Sequence, residues 1–167
     1  MLYLLDANIL ITAKNFYYEM ERIPEFWEWL IYHGEEGNIK IPFHIYGEYK
    51  AGNDGLTDWV NRADVIDALL LNEEVDSGLV TDTLGNGYGA NLSDVELEKI
   101  AMDPFLIAHG RMDVENRVVV SAEVSKRSAQ RSKRRVPDVC NDFGVSCTDI
   151  YGLNRALNFS TSWEKEI

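Results

Sequence analysis

The chain has 167 residues and a formal net charge of −12, with 46% hydrophobic and 26% charged residues. These values are typical of a single globular domain that is large enough to fold without a stabilising metal or disulfide. Two cysteines, Cys140 and Cys147, are too few for a disulfide framework, so we expect reduced thiols in a cytoplasmic protein. No apolar run is long enough to cross a bilayer, and the apolar start lacks the basic residues of a signal peptide.

The positive charges are concentrated in residues 125–135, which we call the basic strip. The strip contains no acid, and its cations are Lys126, Arg127, Arg131, Lys133, Arg134 and Arg135. The rest of the chain then has ten cations against 28 acids, a net charge of −18. An acidic balance normally excludes nucleic-acid binding, because Lys and Arg make the phosphate contacts. Because of the basic strip, the acidic net charge does not exclude nucleic-acid binding by this chain.

Short apolar runs predict the strands. The first run is apolar on both faces, as in a buried strand of a parallel sheet, and it ends at Asp6. Three consecutive valines give the clearest later strand. In chain order, the predicted strands cover residues 2–5, 39–41, 118–121 and 144–147.

Helical periodicity and capping residues predict the helices. Pro24 opens one helix, and Ser93 with Glu96 forms a capping box for another. Asp103 is expected to cap the helix that Pro104 begins. The predicted helices cover residues 24–32, 43–51 ending at Gly52, 57–71 capped by Thr57, 93–101, 103 onward, 137–143 and 149–157. Residues 73–92 are predicted to be a long glycine-rich connection, with at most a short strand, that could form a lid.

Strands that alternate with helices predict one α/β domain over residues 1–167, with a mainly parallel sheet flanked by helices. In such folds the ligand lies beyond the carboxyl ends of the strands, where the strand order reverses. Four acids are candidates for that position: Asp6, Glu48, Asp103 and Glu123. Carboxylates brought together repel one another unless a cation neutralises them, and oxygen-only ligands favour Mg²⁺ or Mn²⁺. Such a cation can activate water against a phosphodiester.

Each acid also has a purely structural interpretation. Asp6 can cap the following helix, and Asp103 can be the N-cap ahead of a proline. Glu48 can belong to a solvated helix face, and Glu123 can be a surface acid at a strand end. Asn8 can hydrogen-bond its own backbone in a turn. Taken singly, none of these residues decides between structure and chemistry.

In combination, these segments resemble a PIN domain over nearly the whole chain. The resemblance is carried by Tyr-Leu-Leu-Asp-Ala-Asn at residues 3–8, Glu48 in an early helix, Asp-Pro-Phe-Leu-Ile-Ala at 103–108 and Val-Val-Val-Ser-Ala-Glu at 118–123. A narrower resemblance, to a PIN-like prokaryotic family of unknown function, is carried by Pro-Glu-Phe-Trp at 24–27, Ile41-Pro42, Asp58-Trp59 and Val-Pro-Asp-Val-Cys at 136–140.

PIN domains are metal-dependent ribonucleases, and many are the toxin of a toxin–antitoxin pair. The resemblance therefore implies an endoribonuclease in which Asp6, Glu48 and Asp103 hold Mg²⁺ or Mn²⁺ and whose products carry a 5′-phosphate and a 3′-hydroxyl. A non-catalytic PIN-like module that binds protein or RNA is the alternative. Transfer of a phosphomonoester through an aspartyl nucleophile normally requires a second Asp two residues after the first, where this chain has Asn8.

The resemblance leaves open which residue is the fourth acid of the site. Glu123 stands where PIN domains carry Asp or Asn, and Ser121 matches the small hydroxyl residue before it. The commoner toxins carry an Asp-Phe pair a few residues later, where this chain has the basic strip. Asp138 and Asp142 are therefore rivals of Glu123, which we rank first.

The resemblance also suggests partners. The basic strip is expected at the rim of the acidic site, holding the RNA backbone. A solvated loop without a role, and a dock for an acidic antitoxin segment, are the alternatives. A homodimer is common among PIN toxins, and no membrane contact is expected. We expect Phe16, Tyr17 and Tyr18 in the core; stacking of these residues or Tyr88 on unpaired bases is the alternative.

Overall fold

The computed structural model describes residues 1–50 and 54–166. Its strands are β1 (Leu2–Leu5), β2 (Ile39–Pro42), β3 (Leu70–Leu71), β4 (Arg117–Val120) and β5 (Ser146–Thr148). They form a five-stranded sheet in the order β3-β2-β1-β4-β5, and every neighbouring pair is parallel. The predicted α/β class with a mainly parallel sheet is confirmed.

Helices connect the strands. The α-helices are α1 (Ala7–Thr12), α2 (Pro24–Glu35), α3 (Phe43–Tyr49), α4 (Gly55–Val60), α5 (Ala63–Leu69), α6 (Ser77–Asp82), α7 (Asp94–Ile100), α8 (Asp103–Arg111), α9 (Val136–Asp142) and α10 (Ile150–Ala156). Two π-helical turns, Ala13–Tyr17 and Thr83–Tyr88, extend α1 and α6, and short 3-10 helices cover Arg131–Lys133 and Trp163–Glu166. None of the helices within the described ranges is long and apolar enough to cross a membrane.

The strand order reverses at β1. From β1 the chain adds β2 and β3 on one side, and it later adds β4 and β5 on the other side. Helix α2 packs against α5, and α8 packs against α9. The right-handed rule for crossovers between parallel strands predicts these two pairs on opposite faces of the sheet. In the β1–β4 pair Leu5 lies opposite Val120, so the two strands end at the same level. The crevice beyond these two ends is where doubly wound sheets bind ligands.

The core lies between the sheet and its helices. Leu4 and Leu5 are completely buried, as their apolar run predicts. Helix α2 begins with Pro24 in its first turn and buries Phe26 and Trp29. Burial of a large apolar side chain stabilises the fold by about 1.5 to 3 kcal/mol, and α2 packs this apolar face against α5 and β2.

The predicted helix over residues 57–71 is wrong in its extent. It consists of α4 and α5 followed by β3, and its cap is Asp54, which accepts hydrogen bonds from the backbone N–H groups of Leu56 and Thr57. Arg62 has extended backbone angles and separates the two helices. The predicted stop of the preceding helix at Gly52 lies outside the described residues.

The glycine-rich stretch 73–92 is not an open lid. Asp76 caps α6, which continues into the π-helical turn and packs against α8. Gly87 is required by close packing, because a Cβ there would lie 2.7 Å from Cγ1 of Val139. Tyr88 at the end of this turn is only 2% exposed. Within this stretch, Gly87 therefore serves close packing at the end of a helical segment.

The aromatic residues after α1 are distributed differently from the prediction. Phe16 and Tyr17 are 76% and 43% exposed, so the expectation that they belong to the core is wrong. Tyr18 is half-buried and stacks on Phe26, with ring centroids 4.1 Å apart. Buried Tyr88 cannot stack on a base.

Candidate metal centre

Asp6 lies at the carboxyl end of β1, in the crevice where the strand order reverses. It is 5% exposed, and its backbone N–H donates to the carbonyl oxygen of Val120 at 2.9 Å, which ties it to β4. Asp6 occupies the N-cap position of α1, but its side chain makes no capping hydrogen bond within the described part of the chain. The backbone N–H groups of Ala7 and Asn8 nevertheless act to lower the pKa of Asp6, so the carboxylate keeps a weak interaction with the start of α1.

Asn8 and Ser121 orient the Asp6 carboxylate. The Ser121 hydroxyl donates to Oδ2 of Asp6 at 2.7 Å, and the Asn8 side-chain amide donates to the same oxygen at 2.6 Å. Asn8 also accepts a hydrogen bond from the backbone N–H of Ala122 at 2.8 Å. Asn8 thus bridges the ends of β1 and β4 instead of closing a local turn. Both of these hydrogen bonds go to Oδ2 of Asp6, and neither Asn8 nor Ser121 binds Oδ1.

Burial makes the ionised form of Asp6 costly. Desolvation raises its pKa, the Ser121 hydrogen bond opposes that shift, and the charge of Glu123 adds to it. Tyr49 of α3 donates its hydroxyl to the main-chain carbonyl of Asp6 at 3.1 Å, fixing the strand end from the other side. The carboxylate is thereby held in place, and it forms no ion pair with a cation in the part of the chain that the structure describes.

Glu48 lies on α3, one residue before Tyr49. Its side chain is exposed, as the solvated-face interpretation expects. Partial desolvation raises the pKa of Glu48, and the charge of Asp6 raises it further. Glu48 therefore lies on the exposed margin of the same site and feels the field of Asp6.

Asp103 is the first residue of α8, and the N-cap is Met102 instead. The predicted capping role of Asp103 is therefore wrong. Its carboxylate accepts a hydrogen bond from the Tyr88 hydroxyl at 3.3 Å. Burial raises the pKa of Asp103 to about 8, with further contributions from the charges of Asp6 and Glu123. The α8 N-terminus thus directs a third carboxylate into the field of the first two.

Glu123 follows β4 by three residues and is held by the basic strip. Its two carboxylate oxygens accept from the Arg135 guanidinium at 3.1 Å and from the backbone N–H of Val136 at 2.7 Å. The charge of Glu123 contributes to the raised pKa values of both Asp6 and Asp103. The first-ranked fourth acid therefore belongs to the same electrostatic group.

The rival acids serve the strip instead. Asp138 is 8% exposed and accepts hydrogen bonds from the Ser125 hydroxyl and, at 2.7 Å, from the backbone N–H of Lys126. Burial acts to raise the pKa of Asp138, but these hydrogen bonds outweigh it and the pKa is lowered. Asp142 forms an ion pair with Arg134 at 2.7 Å. Both acids anchor residues 125–135 from the side of α9.

The oxygen atoms and the negative charge of these carboxylates suit a hard divalent cation. Asp6, Glu48 and Asp103 form no ion pair with any cation in residues 1–50 and 54–166. The charge of Asp6 raises the pKa of both Glu48 and Asp103. Oxygen-donor side chains that form no ion pair among the described residues are the kind of ligand that Mg²⁺ and Mn²⁺ prefer. In this conformation, however, no three His, Cys, Asp or Glu side chains of the described ranges converge closely enough to hold an ion.

Sequence reasoning missed two tyrosines of this site. Tyr49 and Tyr88 are buried and direct their hydroxyls at Asp6 and Asp103. The position of Tyr49 next to Glu48 gives no signal by itself. Tyr88 stands between Gly87 and Gly89, and a bulky residue between glycines was the available hint of a closely packed segment.

The site lies within a segment that matches a family model. The model of the domain of unknown function DUF4411 matches residues 3–161. The chain belongs to the DUF4411 family. All four acids of the site fall within the matched part of this DUF4411 chain. Neither the search of curated proteins nor the search of solved structures gave a match.

Proposed function

We propose that this DUF4411 protein is a Mg²⁺- or Mn²⁺-dependent ribonuclease of the PIN-like type. The observation that carries the proposal is the position of Asp6. It is a buried carboxylate at the switch point of a doubly wound sheet, oriented by Asn8 and Ser121. The charge of Glu123 raises the pKa of Asp6, and the charge of Asp6 in turn raises the pKa of Asp103. An acid held in this way without a counter-charge is suited to binding a cation.

The chain's own residues would then have separate tasks. Asp6, Glu48, Asp103 and Glu123 would hold the ion, and Asn8 and Ser121 would keep Asp6 turned toward it. The Tyr88 hydroxyl would orient Asp103. A shared ion requires side-chain rotation, for which exposed Glu48 has room. When bound, Mg²⁺ or Mn²⁺ supplies Lewis acidity that activates water and stabilises negative charge on a phosphodiester.

The direct test is cleavage of total cellular RNA with Mn²⁺, followed by mapping of new 5′ ends. The wild type is expected to create 5′-phosphate ends, and Asp6→Asn should create none, because the amide keeps the hydrogen-bonding shape but loses the charge. Asp67→Asn, on an exposed face of α5, is the matched control and should cleave like the wild type. Equal cleavage by wild type and Asp6→Asn would refute the proposal.

A non-catalytic RNA- or protein-binding module is the second candidate. The observation in its favour is that Glu123 is already bound by Arg135 and that three donors do not converge within the described residues. A wild type that binds RNA in Mn²⁺ but leaves no new 5′ end would favour this module.

The proposal extends to a toxin role, which the resemblance to PIN domains supports. Induced expression of the wild type should then arrest growth of a host cell, whereas Asp6→Asn should not. Equal growth arrest by both variants would show that toxicity does not depend on cleavage.

A further inference from the structure

A large opening beside the acids lies between α7 and the basic strip. This cavity has a volume of about 680 Å³, and Asp103 and Glu123 are part of its lining. Six cations and three acids line it, which gives a local formal charge of +3 on a protein whose net charge is −12. The cavity is therefore a positive groove that borders the acidic site.

The arginines of this groove are already engaged by the protein. The Arg131 guanidinium bonds both carboxylate oxygens of Glu96, at 2.6 and 2.8 Å, and the carbonyls of residues 90 and 91. Arg134 donates to the carbonyl of Gly87 at 2.6 Å and pairs with Asp142, and Arg135 pairs with Glu123. These three side chains hold the groove together.

The lysines of the groove are not engaged. Lys99, Lys126 and Lys133 are exposed, and their ammonium groups have no ion pair or hydrogen bond with any residue of the described ranges. Lys99 comes from α7 and the other two from the strip, so lysines from two separate elements line one cavity. Strongly hydrated, flexible ammonium groups suit phosphate oxygens that pass by without a fixed geometry.

We propose that this groove binds the backbone of single-stranded RNA through Lys99, Lys126 and Lys133. This inference rests on the proposed function for the choice of RNA. The cavity has the size of a small-ligand pocket, which admits a nucleotide or two of an unpaired strand but not a duplex. Because Asp103 and Glu123 also line it, a strand held by the lysines passes directly beside the acids. The strip's role is thereby divided, with the arginines structural and the lysines contacting phosphate.

The test compares binding of a fluorescein-labelled single-stranded RNA in EDTA, where hydrolysis is blocked. The variant Lys99→Gln/Lys126→Gln/Lys133→Gln should bind at least roughly tenfold more weakly than the wild type, and its log Kd against log salt slope should fall by about 2, since each phosphate contact contributes about 0.7. The matched control is Arg22→Gln/Arg62→Gln/Lys165→Gln, which removes the same charge from exposed positions outside the groove and should bind like the wild type.

The groove proposal and the ribonuclease proposal fail separately. RNA binding that depends on the three lysines, without cleavage in Mn²⁺, would support the groove proposal and refute the ribonuclease proposal. If the lysine variant cleaves and binds RNA as the wild type does, the groove proposal is refuted and the ribonuclease proposal is unaffected. No RNA binding by the wild type, tighter binding of duplex than of single strand, or tighter binding of poly-glutamate through the same lysines would each overturn the groove.

Discussion

At the scale of single residues, the site is built around carboxylates that would gain from a cation. Asp103 shows this most clearly, because burial and the charges of Asp6 and Glu123 raise its pKa to about 8. The folded, metal-free protein therefore binds a proton at Asp103 between about pH 4 and pH 8 that the unfolded chain does not bind. The contribution of Asp103 to the free energy of unfolding therefore falls as the pH rises from about 4 to about 8, because ionisation of Asp103 is unfavourable only in the folded state.

The variant Asp103→Asn should remove this penalty while its amide oxygen still accepts from Tyr88. In EDTA it should be more stable than the wild type by on the order of 2 kcal/mol near pH 8, discounted for solvent access, and should show little difference near pH 4. Urea unfolding at a series of pH values measures this. A stability difference that is constant with pH, or equal to that of Asp67→Asn, would contradict the assigned electrostatics.

At the scale of elements, the basic strip is anchored to the rest of the domain by side-chain hydrogen bonds and ion pairs. Asp138 holds its start, Arg131 joins its middle to α7, and Arg135 and Val136 join its end to Glu123. Arg131 also has a backbone φ of +52°, a left-handed conformation that costs a non-glycine residue energy and is maintained by these bonds. The strip is thereby kept beside the acids.

Arg131→Gln should release the middle of the strip without unfolding the domain. The bidentate pair with Glu96 is solvent-accessible, so the global free energy of unfolding should change little. Amide hydrogen exchange over residues 125–135 should become much faster. Arg127→Gln is the matched control, since Arg127 is exposed and forms no ion pair within the described residues. Equal exchange in both variants would contradict the fastening role.

Elements with a local signal were predictable from the sequence. The apolar run of β1, the capping box of α7 and the proline that opens α2 each act within a few residues, and all three elements form as expected. The break between α4 and α5 had no comparable local signal, because both halves carry apolar residues at helical spacing. The role of Gly87 was likewise not predictable from local sequence, since it depends on packing against Val139 of α9.

At the scale of the whole molecule, the topology brings distant acids together. Asp6 and Glu123 follow neighbouring strands that end at the same level, and Asp103 begins the helix that leads into β4. The order of the strands therefore explains why residues about 40 to 120 positions apart influence one another's ionisation. The sequence indicated which acids follow strands. The hydroxyl partners Tyr49 and Tyr88, and the ion pair of Glu123 with Arg135, depend on tertiary contacts that no local pattern encodes.

The central claim, that these acids share a divalent ion, is tested most directly by calorimetric titration of the protein with Mn²⁺. The wild type is expected to show saturable binding of one or two ions per chain, which Asp6→Asn loses and Asp67→Asn retains. Binding should also raise the free energy of unfolding, by about 2.7 kcal/mol when free Mn²⁺ is one hundred times its Kd. No heat of binding in the wild type, or an equal heat in Asp6→Asn, would contradict the claim.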